Sequence, residues 1–113
     1  MRPERLYLLD IVEAADAIGR FCTTVSPNDF LVDEIRQSAV LQKLIVIGEA
    51  ATHLPKEFRD GHLEIEWEDV IGFRNFAVHE YFSVEWPIVW ETAIVDVPEL
   101  RNKIAKILAD EET

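Results

Sequence analysis

Between Phe73 and Phe82 the chain reads Phe-Arg-Asn-Phe-Ala-Val-His-Glu-Tyr-Phe, and four of these side chains can do chemistry. Arg74 offers a permanently charged fork matched to a phosphate or carboxylate. A histidine such as His79 belongs to the one side-chain type that gives and takes a proton near neutral pH, and Asn75 and Tyr81 both donate and accept hydrogen bonds. Arg74 is the only Lys or Arg between Arg59 and Arg101, whereas the same interval carries Glu64, Glu66, Glu68, Asp69, Glu80, Glu85, Glu91, Asp96 and Glu99. A solvated face mixes its charges, so a lone guanidinium in acidic surroundings marks a candidate site. An Arg and a His acting without metal ligands suit cleavage of a phosphodiester in which the 2′-hydroxyl of RNA attacks the adjacent phosphorus. Arg74 would bind the phosphate and stabilise its added charge. His79 would act as general base or acid, and Asn75 would orient His79 or the phosphate. RNA is the expected substrate, with no DNA and no membrane among the partners.

These residues must be positioned by a helix. At about 100° per residue, Asn75 and His79 share one face and Arg74 and Tyr81 another, so Arg74 and His79 point roughly 140° apart. They can meet on one substrate if the helix loosens after Val78, if Arg74 reaches round, or if a second copy of the chain contributes. The third route predicts a symmetric homodimer with a composite cleft.

The pattern R-N-x-x-x-H-x-Y resembles the signature of the HEPN superfamily, and the whole chain is similar to its HepT branch, ribonuclease toxins partnered by a minimal nucleotidyltransferase antitoxin. The likeness runs from Leu6 to Leu108 and includes Ile47-Gly48-Glu49-Ala50-Ala51, Ile65-Glu66-Trp67 and Val89-Trp90-Glu91. It implies a toxin that is a metal-independent endoribonuclease, needs no cofactor, and sets its paired motifs face to face across a homodimer. It also implies that the partner adenylylates Tyr81, whose new bulk and negative charge beside Arg74 would block the cleft. Glu49 is either a solvated residue or a cleft residue that orients Arg74, and the resemblance favours the second. Two rivals come from other classes. One is a catalytically inactive HEPN scaffold that binds a partner protein or a nucleotide; the complete set Arg74, Asn75, His79 and Tyr81 speaks against such decay. The other is a helical metal or cofactor carrier, which would need paired inward-facing E-x-x-H ligands that the sequence lacks. The plainest account of Arg74 alone is an ion pair to a neighbouring Glu that knits two helices together.

Composition narrows the class. With 113 residues and 49% apolar content, the chain is expected to form one domain over residues 1–113. Cys22 is the only cysteine, which rules out an intrachain disulfide. No charged-then-apolar leader and no membrane-length apolar run is visible, so a cytoplasmic location is expected. Twenty-two acidic residues against 11 basic ones leave a net charge of −11, which repels polyanions at long range. That counts against RNA binding over a broad surface. A narrow cleft where Arg74-type charges converge remains compatible, because close contacts are screened far less than distant ones. A strongly acidic body also suits a basic partner protein.

The supporting elements are legible in the apolar spacing. Pro3 opens a first helix with Leu8, Ile11, Ala15, Ile18, Cys22 and Val25 on its seam. Ser26-Pro27-Asn28-Asp29 stops it, and a short turn at Phe30-Leu31 plugs the bundle end before Asp33 caps a helix to about Thr52. Gly48 in mid-helix costs about 1 kcal/mol against Ala, which a close helix crossing would offset. A short helix begins at Pro55, and His53 and His62 beside it match no compact zinc spacing, so no metal site is expected. The motif helix starts near Trp67 and is apolar nearly all round, which places it centrally or at an interface, with its polar residues partly buried. Ser83 caps a last helix, kinked at Pro98, with Trp86, Trp90, Ala93, Val97, Leu100, Ile104 and Ile107 in one phase. The expected fold is all-α: an up-and-down bundle of four long helices plus short ones.

Overall fold

The computed structural model describes residues 3–111, and the regular elements among them are all helical. α1 spans Glu4–Cys22, with Pro3 at its N-cap. Proline is tolerated at such a start because the first amides of a helix have no intrahelical acceptor. Leu8, Ile11, Ala15, Ile18 and Cys22 are buried along it at the expected spacing. Burial pushes the Cys22 thiol up from its ordinary range, with the Arg36 charge pulling the other way, as suits a core residue rather than a nucleophile.

α2, Pro27–Phe30, is capped by Ser26, whose hydroxyl accepts the Asp29 amide hydrogen at 3.1 Å. This one turn drives Phe30 into the bundle end, where its ring packs on Trp90 and Trp86 with centroids 5.1 and 6.4 Å away. Gln37 donates from its side chain to the Phe30 carbonyl at 3.0 Å, satisfying an acceptor that the plug would otherwise bury. Both tryptophans are therefore core packing. α3, Glu34–Thr52, starts at Asp33. The Asp33 carboxylate accepts the Arg36 backbone N–H at 3.0 Å and Arg36 Nε at 3.1 Å, and these bonds hold it below the usual carboxylate range.

α4, Lys56–Asp60, comes after Pro55, and α5, Trp67–His79, carries the motif. A 3₁₀ turn at Tyr81–Ser83 leads to α6, Trp86–Glu91, which runs through a π-helical segment at Thr92–Asp96 into α7, Val97–Glu111. The long elements are thus α1, α3, α5 and the α6–α7 rod, which is the expected all-α bundle. α3 is its middle, packed on α1 along one side and on α5 along another.

Three local expectations need correction or refinement. Ser83 does not cap the last helix; it ends the 3₁₀ turn, Val84 is extended, and the helix starts at Trp86 with Pro87 in its first turn and no side-chain cap. At Pro98 the irregularity takes the form of a π turn. The Val97 N–H bonds to the Thr92 carbonyl five residues back, so a π turn lies just ahead of the proline, which has no N–H to give and crowds the carbonyl four residues before it. Finally, α5 is not central. Only Trp67 and Ala77 of it are buried, while Phe76 and Val78 are each 44% exposed. Of the two places open to a helix apolar nearly all round, α5 takes the outside.

Gly48 is where α3 lets α5 approach. A Cβ there would collide with the Cβ of Arg74, and would also lie 2.9 Å from Arg74 Cγ and 3.1 Å from the Val70 carbonyl oxygen. These atoms belong to backbone or to the root of a side chain, so α5 itself must shift to make room. Gly48→Ala is expected to lose on the order of 1–2 kcal/mol net, the overpacking cost exceeding the gain in helix propensity. Gly19 of α1 has nothing within 4 Å of the same position, so Gly19→Ala is expected to be neutral or to gain about 0.5–1 kcal/mol. Urea unfolding of the two variants side by side measures the difference.

Candidate functional site

The α3–α5 crossing sets Arg74 across from Glu49, one residue beyond Gly48. Arg74 Nη2 lies 2.7 Å from Glu49 Oε2, and Nη1 donates to Asn75 Oδ1 at 2.9 Å. The guanidinium is thus held by a carboxylate from α3 and an amide from its own helix. It is partly open, the Arg74 side chain keeping 26% of its exposure and that of Glu49 47%. Arg74 Nε is shielded from solvent and has no hydrogen-bond acceptor among the described residues, so the fork keeps an unused donor.

Glu49 also faces away from Arg74. Its Oε1 lies 3.4 Å from His53 Nε2, one helical turn further along α3. The His53 ring in turn stacks on Tyr7 of α1, centroids 5.1 Å apart and planes within 12°. A line of contacts therefore runs from Tyr7 through His53 and Glu49 to Arg74 and Asn75, linking α1, α3 and α5. Sequence reasoning marks His53 only as a loop histidine; its place four residues after Glu49 is the signal that could have found it. His62 is engaged elsewhere, with Glu64 at 3.6 Å and the Phe58 ring at 4.5 Å.

His79 and Tyr81 are not part of this group. α5 stays helical through His79, so the helix does not loosen after Val78 to swing the imidazole back towards Arg74. The Arg74 guanidinium is engaged by Glu49 and Asn75, with no hydrogen bond joining it to His79. His79 is exposed, contrary to the expectation of partial burial, and its side chain makes no hydrogen bond or ion pair with the described residues. Glu80, at φ −124° and ψ 41°, ends the helix with its N–H on the Phe76 carbonyl at 2.7 Å. Tyr81 consequently lies in the next turn, edge-on to Phe82 at 5.5 Å. The shared helical face of Arg74 and Tyr81, seven residues apart, therefore does not exist. Phe82 is 99% exposed, and Tyr81, Val78 and Phe76 near it are exposed as well. The end of the motif helix is an apolar surface with an unpaired imidazole on it.

A purely structural ion pair would make the same Arg74–Glu49 contact, and magnitudes separate the two possibilities. Partly exposed pairs contribute about 0–1 kcal/mol, so this one does little to hold α5 on α3, which the Gly48 packing does already. Glu49→Gln is therefore expected to lose less than about 1 kcal/mol in urea unfolding. A loss of several kcal/mol would identify the pair as a strut.

Comparison with known proteins agrees with the motif. The family model described as "HepT-like: Ribonuclease HepT-like" matches residues 11–107. A protein of Thermococcus cleftensis named "Probable ribonuclease HepT" is 37% identical over 106 residues, which is 94% of this chain and 96% of that one. A protein of Caldanaerobacter subterraneus subsp. tengcongensis, provisionally named an RNase, is 36% identical over 112 residues, covering 99% of this chain and all of its own. Another, from Methanocaldococcus jannaschii and also provisionally named an RNase, is 34% identical over 111 residues, 98% of this chain and 92% of that one. No solved structure matches.

Proposed function

The chain belongs to the HepT-like ribonuclease family, and on that footing we propose that it is the toxin of a toxin–antitoxin pair, a metal-independent endoribonuclease acting in the cytoplasm as a homodimer. One observation carries this reading. Arg74 is gripped by Glu49 and Asn75 and left partly open, while His79 ends the same helix on a diverging face with no partner of its own among the described residues. A single copy thus offers an anchored phosphate-binding fork and, apart from it, a free proton carrier. A second copy related by a two-fold axis can set its His79 opposite the first copy's Arg74, and the exposed Phe76, Val78 and Phe82 supply apolar surface for that contact.

In such a cleft Arg74 binds the scissile phosphate, releasing part of its hold on Glu49, and stabilises the charge that builds on the phosphoryl oxygens. The 2′-oxygen forms its bond to phosphorus as the bond to the 5′-oxygen breaks. His79 takes the 2′-hydroxyl proton and, as the imidazolium, returns it to the departing 5′-oxygen, leaving a 2′,3′-cyclic phosphate and a 5′-hydroxyl. Asn75 holds the Arg74 fork in plane, and Glu49 sets its direction. Tyr81, exposed in the turn after His79, is the residue that a minimal nucleotidyltransferase antitoxin adenylylates; the added phosphodiester and base would occupy the mouth that otherwise admits RNA.

Arg74→Ala and His79→Ala are each expected to abolish RNA cleavage with the fold intact, in excess chelator as well as without it. Light scattering should give twice 13.0 kDa. The decisive measurement mixes the two inactive variants after subunit exchange. Heterodimers then hold one cleft with both an Arg74 and a His79, so cleavage should partly return; its continued absence would mean that each copy works alone. For control, intact-mass spectrometry after incubation with the nucleotidyltransferase and ATP should show an adenylyl group on the wild type. Tyr81→Phe should cleave RNA, gain no such mass and escape silencing.

A further inference from the structure

α5 leans on α3 and forms no comparable seam with α7. The bundle is therefore open along that side, as a groove of about 360 Å³. Leu44 and Ile47 of α3 make its floor, Val70 and Phe73 of α5 one wall, and Val97 and Leu100 of α7 the other. Side chains of neighbouring helices ordinarily close such a gap, but here Val70, Phe73 and Leu100 stay only partly covered. None of Arg74, Asn75 or His79 lines the groove, so a ligand bound there is independent of the ribonuclease reading.

The mouth is acidic, edged by Glu66, Asp69, Asp96 and Glu99. Lys103 also lines it, but its ammonium is engaged by Glu99 at 3.0 Å and by the Glu64 carbonyl at 2.8 Å. A hydrogen bond with Asp69, and after it the Asp69 charge, raise the Glu66 carboxyl above its ordinary value. Two carboxyls crowded in this way are relieved by an incoming cation. Asp96 is brought to the edge by the π segment ahead of Pro98, a departure from helical regularity that recurs at functional sites.

We propose that this groove docks a basic amphipathic helix of a partner protein, its apolar side chains between Val70, Phe73 and Leu100 over the Leu44–Ile47 floor and its Lys or Arg side chains against Glu66, Asp69 and Asp96, the rim carboxylates not paired with Lys103. Charge decides the occupant. A second copy of a chain with net charge −11 would bring acid against acid, and RNA would bring phosphate against carboxylate. A basic helix gains at the floor and at the rim together. Anchors at i, i+3 or i+4 and i+7 are the pattern by which a groove holds a helix.

The test uses the full chain and a short synthetic leucine–lysine helix with leucines at that spacing, compared with a scrambled peptide of identical composition. Fluorescence anisotropy at physiological salt should show the ordered helix binding at least about tenfold more tightly than the scrambled one. Leu100→Asp should remove that preference, with circular dichroism checking the fold. The double variant Glu66→Lys, Asp96→Lys leaves the floor intact and touches only the exposed rim, so it should reject the lysine helix and accept a leucine–glutamate helix instead. Equal binding of ordered and scrambled peptides would reduce the effect to diffuse attraction by an acidic surface and overturn the proposal. So would indifference to the charge swap. If Leu100→Asp instead dissociates a dimer of the unliganded chain, the groove is a contact between copies and the proposal fails.

Discussion

The contact between Gly48 and the root of Arg74 is the constraint on which the rest of the arrangement depends. α3 must serve α1 on one side and α5 on another, and a side chain at position 48 would hold α5 away. With glycine there, Arg74 leaves its helix directly over the α3 backbone, and the guanidinium has nowhere to go but alongside the next residue, Glu49. The helix-propensity cost of about 1 kcal/mol at Gly48 thus purchases both a packing seam and the placement of a charge. The Glu49 ion pair then fixes direction more than it adds stability, since a half-exposed pair contributes little of the latter.

Resting α5 chiefly on α3 has two consequences at its other faces. Towards the end of the helix, Phe76, Val78 and the neighbouring Phe82 remain in solvent beside His79. Towards its start, the gap to α7 stays open as an apolar groove edged with carboxylates. One surface is apolar with His79 and Glu80 exposed on it; the other is apolar with a dense negative rim. A single helix therefore presents two kinds of contact surface, and their charge makes them suitable for different partners.

Much of this was legible in the sequence because it is local. The seam Leu8, Ile11, Ala15, Ile18 and Cys22 is set by a 3.6-residue period, the cap at Asp33 by a side chain that reaches an amide three residues on, and the Phe30 plug by an aromatic residue behind a proline turn. The pattern of Arg74, Asn75 and His79 is equally local, and so is the demand that Gly48 face a close neighbour. Periodicity could not say which side of α5 would be covered, since a helix apolar all round gives no direction. It also carried helical phase past His79 to Tyr81, where Glu80 in fact breaks the chain away, and it did not foresee the π turn ahead of Pro98.

Tertiary structure alone decided the rest, for a physical reason. The partner of a side chain that leaves one helix is a side chain on another, and no spacing within either segment specifies their crossing. That Glu49 and not one of the ten acids nearer in sequence holds Arg74, and that α5 and α7 part to leave a groove, are set by the approach of backbones at Gly48, while the stacking of Tyr7 on His53 behind Glu49 is set by the packing of α1 on α3. The sequence by itself determined which residues could act and which helices would carry them; the packing of α5 against α3 determined that Arg74 is held and His79 is left free.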